Sequence, residues 1–381
     1  MRGAGRMPTA APIGAMSRPP RLQTANGGRT RRPSRPSNEG CVPDDAGLDL
    51  QPIIARNDAM KIAITGGSGF VGLAAAEALA ARGHDVVILD LAAPPAGFWS
   101  HPAIAGARFT RADICDGEML AQVFAAERPD VLLHLAALTS NEAMERQDAA
   151  RIVAVNVGGT ATTLEAAARA GCRRVVALSS IAVYGSRRQD FGDIDSLDET
   201  MPPCPDTLYG ITKQAGEAVA HRLAELHELE LTVLRLGPIF GPWERPGEAR
   251  PDLSPHAQIL AQPAPRLASE MRADWLYSRD AGQAIAAVVD TAGLGGKTFN
   301  LGAGSLSTPH EWAAAAGIAA PEIAPDAPTV TSRIPPSRPP LAIERLRSAI
   351  GAAGTRPITD AAADHMVWLA SVNMKPPHAN G

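Results

Sequence analysis

The octapeptide T-G-G-S-G-F-V-G, Thr65 to Gly72, follows directly on the short apolar run K-I-A-I (61–64). An alanine-rich stretch with helical spacing, Leu73 to Arg82, comes next, and Gly83 fits its stop. Three glycines between a strand and a helix leave few folds open. Gly66 permits a tight turn, Gly69 lets the backbone approach a pyrophosphate, and Gly72 lets helix and strand pack closely. Phosphates then meet the helix N-terminus, where free N–H groups and the dipole favour negative charge. The next strand, D-V-V-I-L-D (85–90), ends in Asp90, 18 residues after Gly72. A carboxylate there accepts from ribose hydroxyls and repels a 2′-phosphate, which predicts NAD rather than NADP.

Strand and helix signals alternate from Met60 onward. A weak third strand surrounds Phe109, and a helix over Glu118–Glu127 stops before Pro129. V-L-L-H-L-A-A (131–137) and R-V-V-A-L-S-S (174–180) are strands flanking a long helix over Ala149–Ala170. A helix over 210–229 leads into the strand L-T-V-L-R-L (231–236). This alternation predicts an α/β fold, a Rossmann-type doubly wound parallel sheet covered on both faces. After Gly237 the texture changes to proline-punctuated loops, short elements at 274–289 and 297–302, a stretch over 320–340 with seven prolines, and a helical piece ending near Trp368. The expected organisation is a dinucleotide-binding domain over 60–236 and a smaller, mainly C-terminal substrate-binding region over 237–370, from which some segments return to the sheet. A tail follows over 371–381.

Residues 1–59 differ in kind. Residues 1–40 hold eight arginines and one acid, with no apolar periodicity, and are read as disordered. A transit peptide and a basic nucleic-acid arm are alternatives to an upstream extension. The extension is preferred, because Met60 immediately precedes the first strand. Residues 60–381 carry a formal charge of −8, which does not support a nucleic-acid surface. No apolar run approaches ~18 residues, so no membrane span is expected. The four cysteines are scattered and form no C-x-x-C, which argues against disulfide and zinc frameworks and fits the cytoplasm.

Tyr209 and Lys213 form the second constellation, in Y-G-I-T-K. Three tyrosines and four lysines in 381 residues give a chance Y-x-x-x-K only ~0.03 times. On a helix the two side chains share a face. A phenol with pKa ~10 is a poor base, and a nearby ammonium stabilises its anion. A shift of ~3 units corresponds to ~4 kcal/mol. Tyr209 is therefore the candidate acid/base for a substrate hydroxyl whose carbon loses hydride. Ser180, ending the fifth strand in S-S-I-A-V-Y-G (179–185), is placed to hold the substrate oxygen, in preference to Ser179.

With T-G-G-S-G-F-V-G, S-S-I-A-V-Y-G and Y-G-I-T-K in this order, the chain resembles the extended short-chain dehydrogenase/reductases, the NAD-dependent epimerase/dehydratase family, from about residue 60 to 370. E-T-M-P-P-C-P-D-T-L-Y-G (199–210), D-W-L-Y-S-R-D (274–280) and F-N-L-G-A-G (299–304) fit it too. The resemblance implies Ser180, Tyr209 and Lys213 as the catalytic set and NAD as cofactor. It implies a cofactor site of Gly66, Gly69, Phe70, Val71, Gly72, Asp90, Asp113, Ile114, Leu135, Ala136, Ala137, Asn156, Tyr209, Lys213 and Pro238, with no metal. Ile181-Ala182 replaces the Asp-Glu of the sugar-nucleotide 4,6-dehydratases, and the S-x-A-V-Y-G form is closer to the 4-epimerases. Two departures stand out. Pro238 replaces the Asn common after the sixth strand, and Ala273 replaces the Arg that precedes the D-W motif. Arg245, Arg250 and Arg272 are candidates to compensate.

The expected activity is an NAD-dependent sugar or sugar-nucleotide epimerase/oxidoreductase with reversible hydride transfer at a secondary alcohol carbon. A dehydrogenase of a non-nucleotide sugar or sugar acid is the alternative, and a non-catalytic dinucleotide sensor the third reading. The expected partners are a small sugar-type substrate and, by family resemblance, a second copy in a homodimer, with no nucleic acid and no membrane.

Overall fold

Seven parallel strands form the sheet: β1 (Lys61–Thr65), β2 (Asp85–Asp90), β3 (Arg108–Arg111), β4 (Val131–His134), β5 (Arg174–Ser180), β6 (Glu230–Leu236) and β7 (Lys297–Leu301). Their order across the sheet is β7-β6-β5-β4-β1-β2-β3. The computed structural model describes residues 59–101, 104, 106–186, 194–335, 338–351 and 355–372. Of the expected extension over 1–59 and tail over 371–381, residues 1–58 and 373–381 lie outside the described residues.

The central strands are apolar along their length because both faces are covered. Ile62, Ala63 and Ile64 of β1 are fully buried, as are Val87, Ile88, Leu132 and Val175 beside them. Helices α1 (Phe70–Ala81) and α6 (Ser278–Asp290) share one core cluster. They approach closely because Gly282 has no Cβ, which would lie 2.4 Å from the Ala74 carbonyl oxygen. A second cluster gathers α2 (Gly117–Glu127), α4 (Gly159–Arg169) and α5 (Leu208–His227), through Leu120, Phe124, Leu164 and Ala220. The chain winds outward from β1 to β3 and then crosses to β4. The C-terminal ends of β1 and β4 therefore flank the switch point where doubly wound sheets bind ligands.

Several elements differ from expectation, each for a local reason. The helix expected at Ala149 begins seven residues earlier as α3 (Glu142–Val153). The Asn141 side chain caps it by accepting from the Met144 amide at 3.0 Å, although its first turns, E-A-M-E-R-Q-D, carry no apolar periodicity. It kinks at Asp148 and passes through a π turn, Ala154–Gly158, before α4. β4 ends at His134 rather than at 137: the Leu135 amide makes a last bond to the Thr65 carbonyl at 3.0 Å, and Ala136 then passes directly against Gly66 of the glycine loop. His134 bonds the hydroxyls of Thr65 (2.8 Å) and Thr160 (3.1 Å). Burial holds this imidazole down at a pKa of about 3, so it stays neutral.

The chain after β6 does not form a wholly separate layer. β7 adds to the sheet beside β6, and α6 packs on α1. The rest builds a third core cluster around Phe240, His256, Trp275 and Trp312, in which Phe240 and His256 stack at 4.0 Å. Short parallel pairs stitch it together: Ile239–Phe240 with Leu276–Tyr277, and Arg266–Leu267 with Glu322–Ile323. No described helix is long and apolar enough to cross a membrane.

Candidate active site

A cavity of about 1350 Å³ runs over the C-terminal ends of β1, β2, β4, β5 and β6. One half is built on the glycine loop. Gly66 adopts φ +69°, and a Cβ on it would lie 2.6 Å from the Ala136 backbone. A Cβ on Gly72 would lie 2.4 Å from the Gly66 carbonyl oxygen, so strand-to-helix packing requires glycine at both positions. At Gly69 the nearest atom to such a Cβ is 3.1 Å away. Phe70, Val71, Asp113, Ile114, Leu135, Ala136, Ala137 and Pro238 all line this half.

Asp90 closes the loop. Its carboxylate accepts from the amides of Ser68 (3.0 Å) and Leu91 (2.7 Å). Burial pushes its pKa up, while those amides and the charge of Arg245 pull it down. Arg245 donates to the Ser68 carbonyl at 2.8 Å, so it grips the glycine loop instead of reaching the substrate side. Asn156, expected among the cofactor ligands, does not line the cavity. Its amide is spent on both backbone groups of Leu138 (2.8 and 3.0 Å) and on the Thr212 hydroxyl (3.0 Å). Its position on the π turn, beneath Leu138, makes it a brace between β4 and α5.

Ser180, Tyr209 and Lys213 all line the cavity. Ser180 caps the turn Ile181–Tyr184, with its oxygen accepting from the Ala182 amide at 3.1 Å. Tyr209 is the second residue of α5, whose start is fixed by the Thr207 cap on the Gly210 amide. The Tyr209 phenol lies near the hydroxyls of Ser180 and Thr139, close enough for both to influence its ionisation. Burial raises its pKa, and those two hydroxyls and the charges of Arg333 and Arg250 oppose the rise. Lys213, one turn along α5, donates to the Leu178 carbonyl at 2.5 Å. Burial lowers its pKa to about 8, with Glu217 pulling upward. The ammonium is thus held against the end of β5, and the groups that most favour the phenolate are neighbouring hydroxyls and arginines.

The turn over Ile181–Tyr184 is locked from behind. The Tyr184 hydroxyl donates to Asn300 (2.8 Å) and accepts from Arg235 (3.0 Å), and Arg235 is paired with Glu217 at 2.8 Å.

The other half of the cavity comes from segments far apart in the chain: 139–145, 180–186, 206–207, 249–258, 331–334 and Arg338. Of the three arginines offered as compensators, only Arg250 lines it, stacked over the Phe70 ring at 4.8 Å and paired with Glu244 at 2.8 Å. Arg272 is exposed and outside it. Reading the sequence missed Thr139, Glu145, Arg333 and Arg338. Glu145 accepts from the Tyr209 amide at 3.2 Å. Arg333 pairs with Asp252 at 2.7 Å. The signal for the two arginines is arginine recurring within the proline-rich stretch over 320–340.

Comparison with known proteins gives one consistent result. Residues 62–302 match the model of the NAD dependent epimerase/dehydratase family. A dTDP-glucose 4,6-dehydratase of Streptomyces niveus is 30% identical over 67% of this chain and 76% of its own length. A UDP-glucose 4-epimerase of Mycolicibacterium smegmatis is 32% identical over 69% of this chain and 84% of its own. The crystal structure of a UDP-glucose 4-epimerase from Thermotoga maritima, solved with UDP-glucose, shares the fold at a TM-score of 0.68 and 22% identity, covering 83% of this chain and all of that one.

Proposed function

Because this chain belongs to the NAD-dependent epimerase/dehydratase family, we propose that it moves hydride reversibly at a secondary alcohol carbon of a sugar or sugar nucleotide, with Tyr209 as acid/base. The carrying observation is that Ser180, Tyr209 and Lys213 line the same cavity as the glycine-loop cradle. The cradle suits a dinucleotide: backbone approaches where a Cβ would clash, and a carboxylate at the ribose position on Asp90.

Bound there, NAD supplies the hydride acceptor and donor. Ser180 holds the reacting oxygen beside the phenol, and Tyr209 removes its proton or returns it. Lys213 keeps a positive charge at the same end of the cradle while its pKa of about 8 exceeds the ambient pH. Thr139 offers the phenol a second hydroxyl, through which a proton can pass.

Epimerisation or net oxidation is favoured over dehydration. Eliminating water needs an acid to protonate the departing hydroxyl. Ile181 and Ala182, which follow Ser180 on its turn, carry no ionisable group. The alternative, a dehydrogenase of a non-nucleotide sugar or sugar acid, is supported by Pro238 in place of the Asn after the sixth strand, by Ala273 in place of a phosphate-gripping Arg, and by the exposure of Arg272.

Two measurements test the proposal. Tyr209→Phe lowers turnover by at least ~10²-fold, within the range for a general acid/base, while leaving NAD affinity unchanged. Turnover near the wild-type rate in that variant defeats the mechanism. The NAD(H) released on denaturing the purified protein then separates the two readings. Near-stoichiometric cofactor favours an epimerase, which keeps its hydride between half-reactions, and an empty protein that binds added NAD favours a dehydrogenase.

A further inference from the structure

Helix α3 uses its charged side chains in two ways. Glu142 pairs with Arg146 and Asp148 with Arg151, each three or four residues apart on the same helix. Glu145 lies between them and lines the cavity, yet among the described residues it forms no ion pair. Its Oε1 instead accepts from the Tyr209 amide at 3.2 Å and from the Ser140 hydroxyl at 3.4 Å. The first of these partners is 64 residues further along the chain.

The Tyr209 amide is one of the first N–H groups of α5, which have no carbonyl partner within the helix. The Thr207 hydroxyl takes the Gly210 amide at 3.1 Å, and the Thr207 carbonyl takes the Ile211 amide at 2.9 Å. The Tyr209 amide is left for a group outside the helix, and α3 supplies it. Helix ends fray unless they are tied down. Tyr209 is the second residue of α5, so its phenol is only as fixed as that end.

The same oxygen also holds the loop that faces the phenol. Ser140 is buried and adjoins Thr139, whose hydroxyl influences the Tyr209 phenol. That loop is held from other directions too. The Thr139 amide donates to the Ala249 carbonyl at 2.7 Å, and Arg333 donates to the Ser140 carbonyl. Glu145 thus joins the start of the catalytic helix to a loop that is itself anchored.

We propose that Glu145 is a positioning residue for Tyr209, fixing the phenol beside Ser180 and Thr139 through the reach of its carboxylate and not through its charge. The inference rests on the reading of Tyr209 as the acid/base. Glu145 bonds the backbone of Tyr209 and not the reacting atoms, so it acts through that residue. A misplacement of about 1 Å at a reacting group is enough to cost about 10²-fold in rate.

Two substitutions separate reach from charge. Glu145→Gln keeps the length and an acceptor oxygen and removes the charge. Glu145→Asp keeps the charge and falls one methylene short. Both are made in the full-length protein, saturated with NAD and isotope-labelled at its tyrosine rings for NMR. The chain holds three tyrosines, Tyr184, Tyr209 and Tyr277, and Tyr209→Phe identifies the signal in question. Hydrogen exchange at the Tyr209 amide is measured on the same proteins. Glu145→Gln is expected to keep the wild-type Tyr209 signal, with amide exchange within about threefold of the wild type. In Glu145→Asp the Tyr209 signal alone is expected to shift or broaden, and its amide to exchange about 10-fold faster, as for the loss of one hydrogen bond. A Glu145→Asp protein indistinguishable from the wild type overturns the assignment. So does a Glu145→Gln protein that fails to fold or whose Tyr209 signal moves, since charge is then what matters. Movement of all three tyrosine signals together overturns it as well, because it marks a general loosening. If Glu145→Asp does not fold, Glu145→Gln still decides. Neither readout needs a substrate. Loss of this assignment therefore leaves the catalytic reading standing, and normal turnover by Tyr209→Phe defeats the catalytic reading whatever Glu145 does.

Discussion

The two halves of the cavity are made in different ways. The glycine-loop half is mostly backbone, and its specificity comes from places where side chains are missing, at Gly66 and Gly72, plus one carboxylate at a strand end. The opposite half is built by side chains from separated segments, Arg250, Arg333 and Arg338 among them, positioned by bonds between loops. Backbone geometry next to a strand is set locally, within about 30 residues of chain. Loop geometry is set by whatever ties the loops together. The first half is therefore expected to be sensitive to added atoms and the second to removed ties.

The largest expected effect follows from the tie at Asp274. This carboxylate is 3% exposed and accepts from the amides of Ala303 (2.7 Å), Gly304 (2.9 Å) and Leu341 (2.9 Å). Burial pushes its pKa up to about 6, against the pull of those donors. Asp274→Ala strands three amides, each costing roughly 1–3 kcal/mol if left unpaired and buried. We expect a loss of about 4 kcal/mol, read as a fall in Tm of about 10 °C, with sugar binding lost before NAD binding. A fall of less than about 3 °C, or equal loss of both ligands, would show that the loops are held by something else.

The same contrast decides what the sequence makes legible. The strand–helix alternation, the glycine turn after β1 and the shared helix of Tyr209 and Lys213 are legible in short motifs whose residues act on their immediate neighbours. Asn156 is instructive: its motif is clear, yet its role as a brace depends on Thr212, 56 residues away, and on a π turn that no spacing reveals. Arg245 likewise sits in a loop that reads as substrate-side, and only the fold turns it back onto Ser68. Arg333 and Arg338 lie in proline-rich chain with no periodicity, and their partners are Asp252 and Gly185. Pairings over 81 and 153 residues leave no local signature.

A smaller effect is expected at Asp90, which tests the backbone-built half. Asp90→Ala removes the acceptor for ribose hydroxyls and leaves Arg245 beside the loop without its neighbouring negative charge. NAD affinity is expected to fall by about 10-fold, or about 1.4 kcal/mol. NADP affinity is expected to fall less or to rise, since a 2′-phosphate then meets Arg245 instead of a carboxylate. Fluorescence titration with both cofactors measures the ratio. An unchanged NAD-to-NADP ratio would remove Asp90 from the recognition of ribose.

The smallest effect separates two adjacent serines at the boundary between the halves. Ser179 and Ser180 are successive residues of β5, so their side chains leave opposite faces of the strand. Both are buried and both line the cavity. The Ser180 oxygen accepts from the Ala182 amide, whereas the buried Ser179 hydroxyl has no hydrogen-bond partner among the described residues. An unsatisfied hydroxyl contributes nothing by leaving water, so Ser179→Ala is expected to hold or raise stability by about 0–1 kcal/mol, with turnover within about twofold of wild type. Ser180→Ala, by contrast, is expected to cut turnover about 10- to 100-fold, because the reacting oxygen loses a hydrogen bond beside the phenol. If the two variants lose turnover equally, Ser179 is not idle. Its free hydroxyl would then be held for the bound substrate, and the oxygen-binding role would have to be shared between the two faces of β5.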